Sequence, residues 1–457
     1  MQEPKAITYL KTFSDRDWKA YSSYAKSLYE TTSSQAQVIS YYKKKKRSLS
    51  KPDWDKAKLL DSIKPNLTAH ALSNVLVKLS ITIEDYFIHR ESRSNELYKK
   101  ALLLKSYAKR GLKNEFDKLK PSLQEFEKSK PISLWDEFYN LEIEHLSYYE
   151  NMTDSVEESK AVLEKVFSLI NTFYENLVSF YKVELVNREV SINEDWSEVK
   201  TKIKAINDKN HVTEICQKLM SLKEYREEDD YRYLRKYIDS EKHVFSKDIN
   251  YAILIHLTSY LNHQIKLGRT NLSRELLELY KAGIDSGLLI VNGRIPTRRF
   301  YNILNLACGN DAYDWAEEFV EKYAILVDAN IEIETKLLAK AEINFKKGNY
   351  EAVIEELVST KYKNFDQELK ARWLLICSEF ELNRDNILFI EDRVRSMSYY
   401  LKRNEKNMDT FSYEGIRNLC KFLLKLTKPF DSKQLQIEIS KTKYLVYRQW
   451  LLSKLIK

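Results

Sequence analysis

Leu337–Leu357 reads LLAKAEINFKKGNYEAVIEEL. A helical pattern runs to the Gly348-Asn349-Tyr350 turn, and a second helical pattern follows it. Ala341 in the first helix has a counterpart in Ala307, 34 residues earlier. A small residue recurring at that period predicts stacked helical hairpins. Such arrays offer concave surfaces to partners rather than enclosing active sites.

Composition agrees with long helices. The 457 residues include only 8 Gly and 7 Pro, far below the ~7% and ~5% of an average chain. The apolar fraction is 43%, with 31 Tyr and 18 Phe, enough to bury a continuous core despite 31% charged residues. The net charge of +8 comes from 75 basic and 67 acidic side chains interspersed along the chain. That mixture describes a solvated surface before it describes a nucleic-acid footprint. Met1–Trp18 carries Glu3, Lys5, Lys11, Asp15, Arg16 and Asp17 without an apolar run, so no signal peptide is expected. The longest apolar stretches, such as Tyr251–Leu261, are interrupted by His256 and Ser259 and fall short of the ~18–20 residues a membrane span needs. Cys216, Cys308, Cys377 and Cys420 lie 92, 69 and 43 residues apart. The spacing suits neither a disulfide framework nor a zinc site, and predicts reduced, buried thiols in a cytoplasm.

Three regions follow in order. Residues 1–95 read as an N-terminal helical unit, opened by the capping pattern Ser14-Asp15-Arg16-Asp17 and the stripe Trp18, Tyr21, Tyr24, Ala25, Leu28. Residues 96–260 read as an irregular helical array, with breaks expected at Gly111, Pro121 and Pro131. Within it, Ser155-Val156-Glu157-Glu158 is a capping box ahead of an apolar pattern that neither Pro nor Gly interrupts as far as Leu185. One long helix of about nine turns is predicted there. Seven of the eight glycines lie after residue 267, so hairpins with tight turns belong to residues 261–457.

In that last region the chain resembles the tetratricopeptide family. Ile303, Ala307 and Trp315-Ala316 make one unit, and Leu337, Ala341, Phe345, Gly348, Tyr350 and Val353 make the next. The match departs from the family pattern at Val353, where a small residue is usual and Ala352 comes one position early. The second-helix residues of the two units stand 37 apart rather than 34. Ala371–Leu401 keeps the helix-turn-helix shape without the glycine. About 100 residues carry the resemblance. The order WAEEF followed by A-x-x-x-F-x-x-G-x-Y is also similar to uncharacterised bacterial proteins, which imply no activity. The resemblance implies an all-α, right-handed α-solenoid.

Each chemically suggestive cluster has an ordinary counterpart. Tyr41, Tyr42, Lys43, Lys44, Lys45, Lys46 and Arg47 could track a phosphate backbone while rings stack on bases. The same run ends a helix, where cations complement the macrodipole. Lys56–Leu79 has the outline of a helix-turn-helix, but only Asn74 and Lys78 suit base contact. Lys266, Arg269, Arg274, Arg294, Arg298 and Arg299 bracket an expected hairpin, Leu272–Leu289. Lining one groove, they would bind acidic peptides through bidentate guanidinium contacts. Glu142-x-x-His145 is half of a carboxylate metal motif whose second half is lacking, residue 240 before His243 being Ser. His256 and His263 share a helical face without a carboxylate. Gly283-Ile284-Asp285-Ser286-Gly287 has the wrong spacing for a nucleophile elbow, and no Gly-rich phosphate loop exists.

The expectation is therefore a cytoplasmic scaffold or adaptor, not an enzyme, with no cofactor, no metal, no catalytic residue and no membrane insertion. Its protein partner would bind the concave face of the C-terminal repeats, with Arg269, Arg298 and Arg299 as anchors. The alternative is a nucleic-acid-binding regulator that uses the basic N-terminal unit. A helical enzyme with scattered side chains stands third.

Overall fold

The computed structural model describes residues 3–44, 56–63, 67–129, 131–149, 156–192, 194–203, 210–239, 244–328, 331–358 and 360–455. These residues are all-α: they hold 23 α-helices and no strand, with isolated bridges only at Ile132–Phe245 and Val291–Arg294. The chain divides into two compact units, Met1–Leu272 and Ser273–Lys457.

The first unit runs through Lys5–Lys11 (α1), Asp15–Lys26 (α2), Ser34–Lys44 (α3), Lys56–Ile63 (α4), Ala69–Ser94 (α5), Glu96–Lys109 (α6) and Lys113–Ser129 (α7). It continues with Asp136–Tyr149 (α8), Val156–Ile192 (α9), Ser197–Lys202 (α10), His211–Glu224 (α11), Glu228–Asp239 (α12) and Lys247–Lys266 (α13). Helix α2 starts on the predicted capping box. Ser14 Oγ accepts from the Asp17 amide at 3.2 Å, and Asp17 Oδ2 accepts from the Ser14 amide at 2.9 Å. Such a cap contributes about 1 kcal/mol. Helices α1–α5 close over one core that includes Ile7, Leu10, Tyr21, Val38, Leu59 and Leu79. Helices α6–α8 close over a second, with Leu97, Leu104, Phe116, Leu123 and Ile143. The long helix is α9, 37 residues, or about 55 Å at ~1.5 Å per residue. Its expected cap, Ser155, lies outside the described residues. Pro121 does not break the chain as expected, because α7 continues through it. A proline in a helix costs about 3 kcal/mol. Phe116 and Leu123 on either side are buried and return about 1.5–3 kcal/mol each, so core packing holds the helix across it.

The second unit contains Ser273–Asp285 (α14), Thr297–Gly309 (α15), Tyr313–Tyr323 (α16), Glu332–Lys347 (α17), Tyr350–Val358 (α18), Phe365–Leu382 (α19), Ile387–Asn404 (α20), Thr410–Leu426 (α21), Ser432–Lys441 (α22) and Arg448–Ser453 (α23). Leu272–Leu289 is not the expected hairpin. It holds the single helix α14, with Gly283 buried inside it, and the chain reverses only at Gly287, whose φ is +69°. The pairs α15/α16, α17/α18 and α19/α20 are hairpins, and α17 also lies against both α15 and α19. The first helix of each hairpin thus adjoins the first helix of the next.

Ala307 and Ala341 are fully buried on α15 and α17. Gly348 ends α17 at φ +83°, and the Asn349 amide closes back on the Asn344 carbonyl at 2.9 Å. A residue other than glycine would be strained there. In the preceding hairpin Gly309 is still helical, and Asp311 takes the left-handed turn at φ +56°, a conformation short polar side chains tolerate. Asp311 and Gly348 lie 37 residues apart, as do the fully buried Ala316 and Val353. The 34-residue register of the first helices and the 37-residue register of the second therefore meet at the left-handed turn residue, which comes three residues sooner after the buried alanine in the earlier hairpin.

Candidate functional site

Helix α17 is enclosed on several sides, so even its polar residues are buried: Glu334, Thr335 and Glu342 join Leu338, Ala341 and Phe345. A buried carboxylate requires compensation. Glu342 is 2% exposed and pairs with Lys370 Nζ of α19 at 2.6 Å. Lys370 in turn sits over the Tyr301 ring of α15, 3.7 Å from its centroid. One charge pair and one ring thus tie together the first helices of three successive hairpins. Gln367 Nε2 donates to Thr335 Oγ1 at 2.8 Å beside them. Burial, and then Glu342, pushes the Tyr301 hydroxyl well above the ordinary phenol range, so this tyrosine stays neutral.

The same carboxylates receive residues from the end of the chain. Tyr447 donates its hydroxyl to Glu342 Oε1 at 3.0 Å. Glu381 near the end of α19 accepts from Trp450 Nε1 at 2.7 Å and Tyr350 at 3.3 Å, and pairs with Lys454. Phe345 meets the rings of Tyr447 and Trp450 at 5.3 and 5.8 Å, and Phe380 meets Trp450 at 6.0 Å. The result is a groove with a carboxylate floor and aromatic walls, filled by α23 and the residue before it. Sequence reasoning missed Glu342, Lys370, Glu381, Tyr447 and Trp450. The signal for them was a glutamate placed directly after the motif alanine on a helix with little exposed surface.

The basic residues singled out from sequence distribute over both units. Lys266 and Arg269 belong to the first unit, whereas Arg274, Arg294, Arg298 and Arg299 belong to the second. Lys266, Arg269, Arg274, Arg294 and Arg298 are exposed, and Arg299 is half-buried. Arg294 closes a tight turn with Val291 through backbone hydrogen bonds of 2.8 and 2.9 Å. Arg298 and Arg299 stand in the first turn of α15, which has no acidic residue. Cations there oppose the helix dipole, so local helix stability is not what places them.

In the lysine run, Tyr42 is buried in the first core and Tyr41 packs edge-on against it at 5.2 Å. Lys43 Nζ donates to Ser22 Oγ at 3.1 Å. Lys45, Lys46 and Arg47 lie outside the described residues, as do residue 240 and His243. Asn74 and Lys78 are exposed on α5, where the Asn74 amide meets His70 at 3.5 Å. Glu142 pairs with Lys105 at 2.7 Å, and the His145 ring lies 4.7 Å from Tyr149. His256 is buried in α13, with Nδ1 donating to the Ala252 carbonyl at 2.8 Å. Ser286 donates to the Ala282 carbonyl at 2.6 Å at the end of α14. Among the described residues no group of three or more His, Cys, Asp and Glu is arranged to hold a metal ion. No described helix is long and apolar enough to cross a membrane. All four cysteines are buried as thiols, and burial pushes those of Cys216, Cys308 and Cys420 up to about 12.

Two further clefts carry basic residues. In the first unit, Arg16, Arg90, Arg93 and His89 gather with Tyr24 and Tyr86 over a floor of Ala20 and Ser23 in a cleft of about 370 Å³. Asp17 pairs with Arg90. In the second unit, Arg417, Lys421, Lys425 and Lys428 line a cleft between α21 and α22, where Glu438 accepts from both Lys421 and Lys425. Those two lysines hold the Glu438 carboxyl below its ordinary range.

Comparison of the chain with protein families, with curated proteins and with solved structures gave no match.

Proposed function

We propose that this chain is a cytoplasmic protein-interaction scaffold whose C-terminal hairpins form a right-handed α-solenoid related to the tetratricopeptide type and hold a partner on their concave face. The observation that carries the reading is the side-by-side placement of α15, α17 and α19, with Ala307 and Ala341 buried in them and Tyr301, Lys370 and Glu342 linking all three. Arrays of this kind align their first helices into an extended surface. Arg298, set against the helix dipole in the exposed first turn of α15, supports an acidic partner, because a guanidinium binds carboxylates bidentately.

The test compares Arg269→Ala/Arg298→Ala/Arg299→Ala with alanine substitution of Lys43–Lys46, in partner pull-downs and in nucleic-acid gel shifts at two salt concentrations. Loss of a protein partner only in the arginine variant is the expected result. A salt-sensitive gel shift abolished only by the lysine variant refutes the scaffold in favour of a nucleic-acid regulator. The cleft of Arg16, Arg90, Arg93, Tyr24 and Tyr86 supports that second reading, since it sets guanidinium groups beside aromatic rings in the N-terminal helices.

A further inference from the structure

Residues 447–454 occupy the groove as a ligand would. Tyr444 and Val446 are tied to α21: Asn418 Nδ2 donates to the Tyr444 carbonyl at 2.9 Å, and the Val446 amide reaches the Gly415 carbonyl at 3.4 Å. Beyond them Tyr447 adopts a left-handed backbone at φ +53°. For a bulky aromatic residue this costs about 1–3 kcal/mol and persists only where surrounding contacts enforce it. The contacts come from two sides: the Tyr447 hydroxyl on Glu342 and Trp450 and Lys454 on Glu381 in the groove, and Arg448, which donates to the carbonyls of Ile439, Ser440 and Thr442 at the end of α22. Helix α23 itself has six residues, well below the ~12–15 at which an isolated helix holds together. The segment is therefore helical because the groove and the end of α22 together make it so.

We propose that the groove between α17 and α19 is a receptor for a short helical segment that presents a phenol, an indole and a lysine on one face, and that residues 447–455 are its occupant in cis. The proposal rests on the reading of the hairpins as a partner-binding array and names the chemistry that one part of the array recognises. The floor dictates that chemistry. Glu342 keeps Lys370 when the tail leaves, but Glu381 loses Trp450 and Lys454 and keeps only Tyr350 of these three partners. A carboxylate whose side chain is only 12% exposed with the tail in place must regain an N–H donor and a cation. An incoming partner with the pattern Tyr-x-x-Trp-x-x-x-Lys supplies both, and an acidic or purely aliphatic segment supplies neither. The tail in turn keeps the groove closed to weaker ligands, because an intramolecular competitor acts at high effective concentration.

The test uses a fluorescein-labelled peptide of residues 443–455 and fluorescence anisotropy. The expected result is binding to a chain ending at Val446 and no binding to the full chain. Changing the peptide tryptophan to alanine should weaken binding roughly 30-fold, as for a buried aromatic anchor. Glu381→Gln in the shortened chain should weaken it also. Should the shortened chain lose its helical circular dichroism, the full chain carrying Trp450→Ala and Lys454→Ala takes its place, and is expected to bind the peptide that the unaltered chain excludes. Amide hydrogen exchange of residues 447–455 in the full chain is expected to be faster than in α17, which reports local release. No binding to a folded variant, equal binding of a basic peptide without aromatic residues, or exchange of the tail only together with α17 would each overturn the proposal. In those cases the scaffold reading still stands if the arginine variant loses its partner. If the peptide binds but the arginine variant keeps every partner, the scaffold reading fails in its arginine anchors and the receptor groove stands.

Discussion

Replacing Ala341 with leucine tests the hairpin register directly. Ala341 has no exposed surface, and α17 is bounded by α15, α16, α18 and α19, so an isobutyl group must displace a neighbouring helix. Overpacking of this kind costs about 1–3 kcal/mol. The adjacent Lys340 is a matched control. Its side chain is 42% exposed and its Nζ lies 2.7 Å from Glu321 Oε1, a surface pair that contributes at most about 1 kcal/mol. For a unit of about 185 residues, each kcal/mol moves the melting temperature by roughly 2–4 °C. Ala341→Leu should therefore lower the melting temperature by up to about 12 °C, and Lys340→Leu by no more than about 4 °C, in thermal melts followed by helical ellipticity. Equal shifts would refute the placement of Ala341 at the contact between first helices, and with it the 34-residue register.

Lys370→Met leaves Glu342 buried without its cation and should cost about 3–5 kcal/mol. Adding Glu342→Leu should recover much of that loss in chemical denaturation, and a double variant as unstable as the sum of its parts would deny the pairing. Gly348→Ala should cost about 1–2 kcal/mol through its left-handed backbone alone, because no atom lies within 4 Å of the added Cβ. Gly309→Ala, helical and equally open, should be neutral or stabilising by about 0.5–1 kcal/mol; the reverse order would show that the turns are misassigned. Burial, then Lys223 and Arg226, hold the His256 imidazole below its ordinary value of 6.5, so the folded chain takes up this proton less readily than the unfolded chain. Its contribution to stability is complete above 6.5 and is lost as the pH falls towards the lowered value. His256→Gln should flatten the decline in stability between about pH 7 and pH 5, and an unchanged slope would rule out the residue as its source.

How much of the molecule could be read in advance depended on how local the cause was. Ala307, Ala341 and Gly348 declare themselves because steric exclusion at a helix contact and a left-handed turn are properties of one residue and its immediate neighbours. The long helix α9 was legible for the same reason, since its apolar spacing runs without a breaker. Pro121 and Leu272–Leu289 were misread where a local rule met a distant force. The second core carries α7 through a proline, and the buried Gly283 lies in α14 without turning it. The arginines resist reading from sequence because adjacency along the chain does not decide which of two units a residue joins.

The groove was invisible for a deeper reason. Its contacts join residues 105 and 69 positions apart, Tyr447 with Glu342 and Trp450 with Glu381, and each of these residues taken alone suits an ordinary solvated helix. What distinguishes Glu342 is that it stands on the enclosed face of α17, opposite exposed residues such as Ile333 and Lys340. A carboxylate on the enclosed face of a helix must receive donors from elsewhere, and only part of that supply comes from the adjacent helix through Lys370. The remainder comes from Tyr447, Trp450 and Lys454, held in a strained turn and in or beside a helix too short to stand alone. An array stabilised only for its own sake would fill that space with apolar side chains, which stabilise at least as well as a buried ion pair. A charged floor beneath a short, strained segment is what the proposed receptor groove requires.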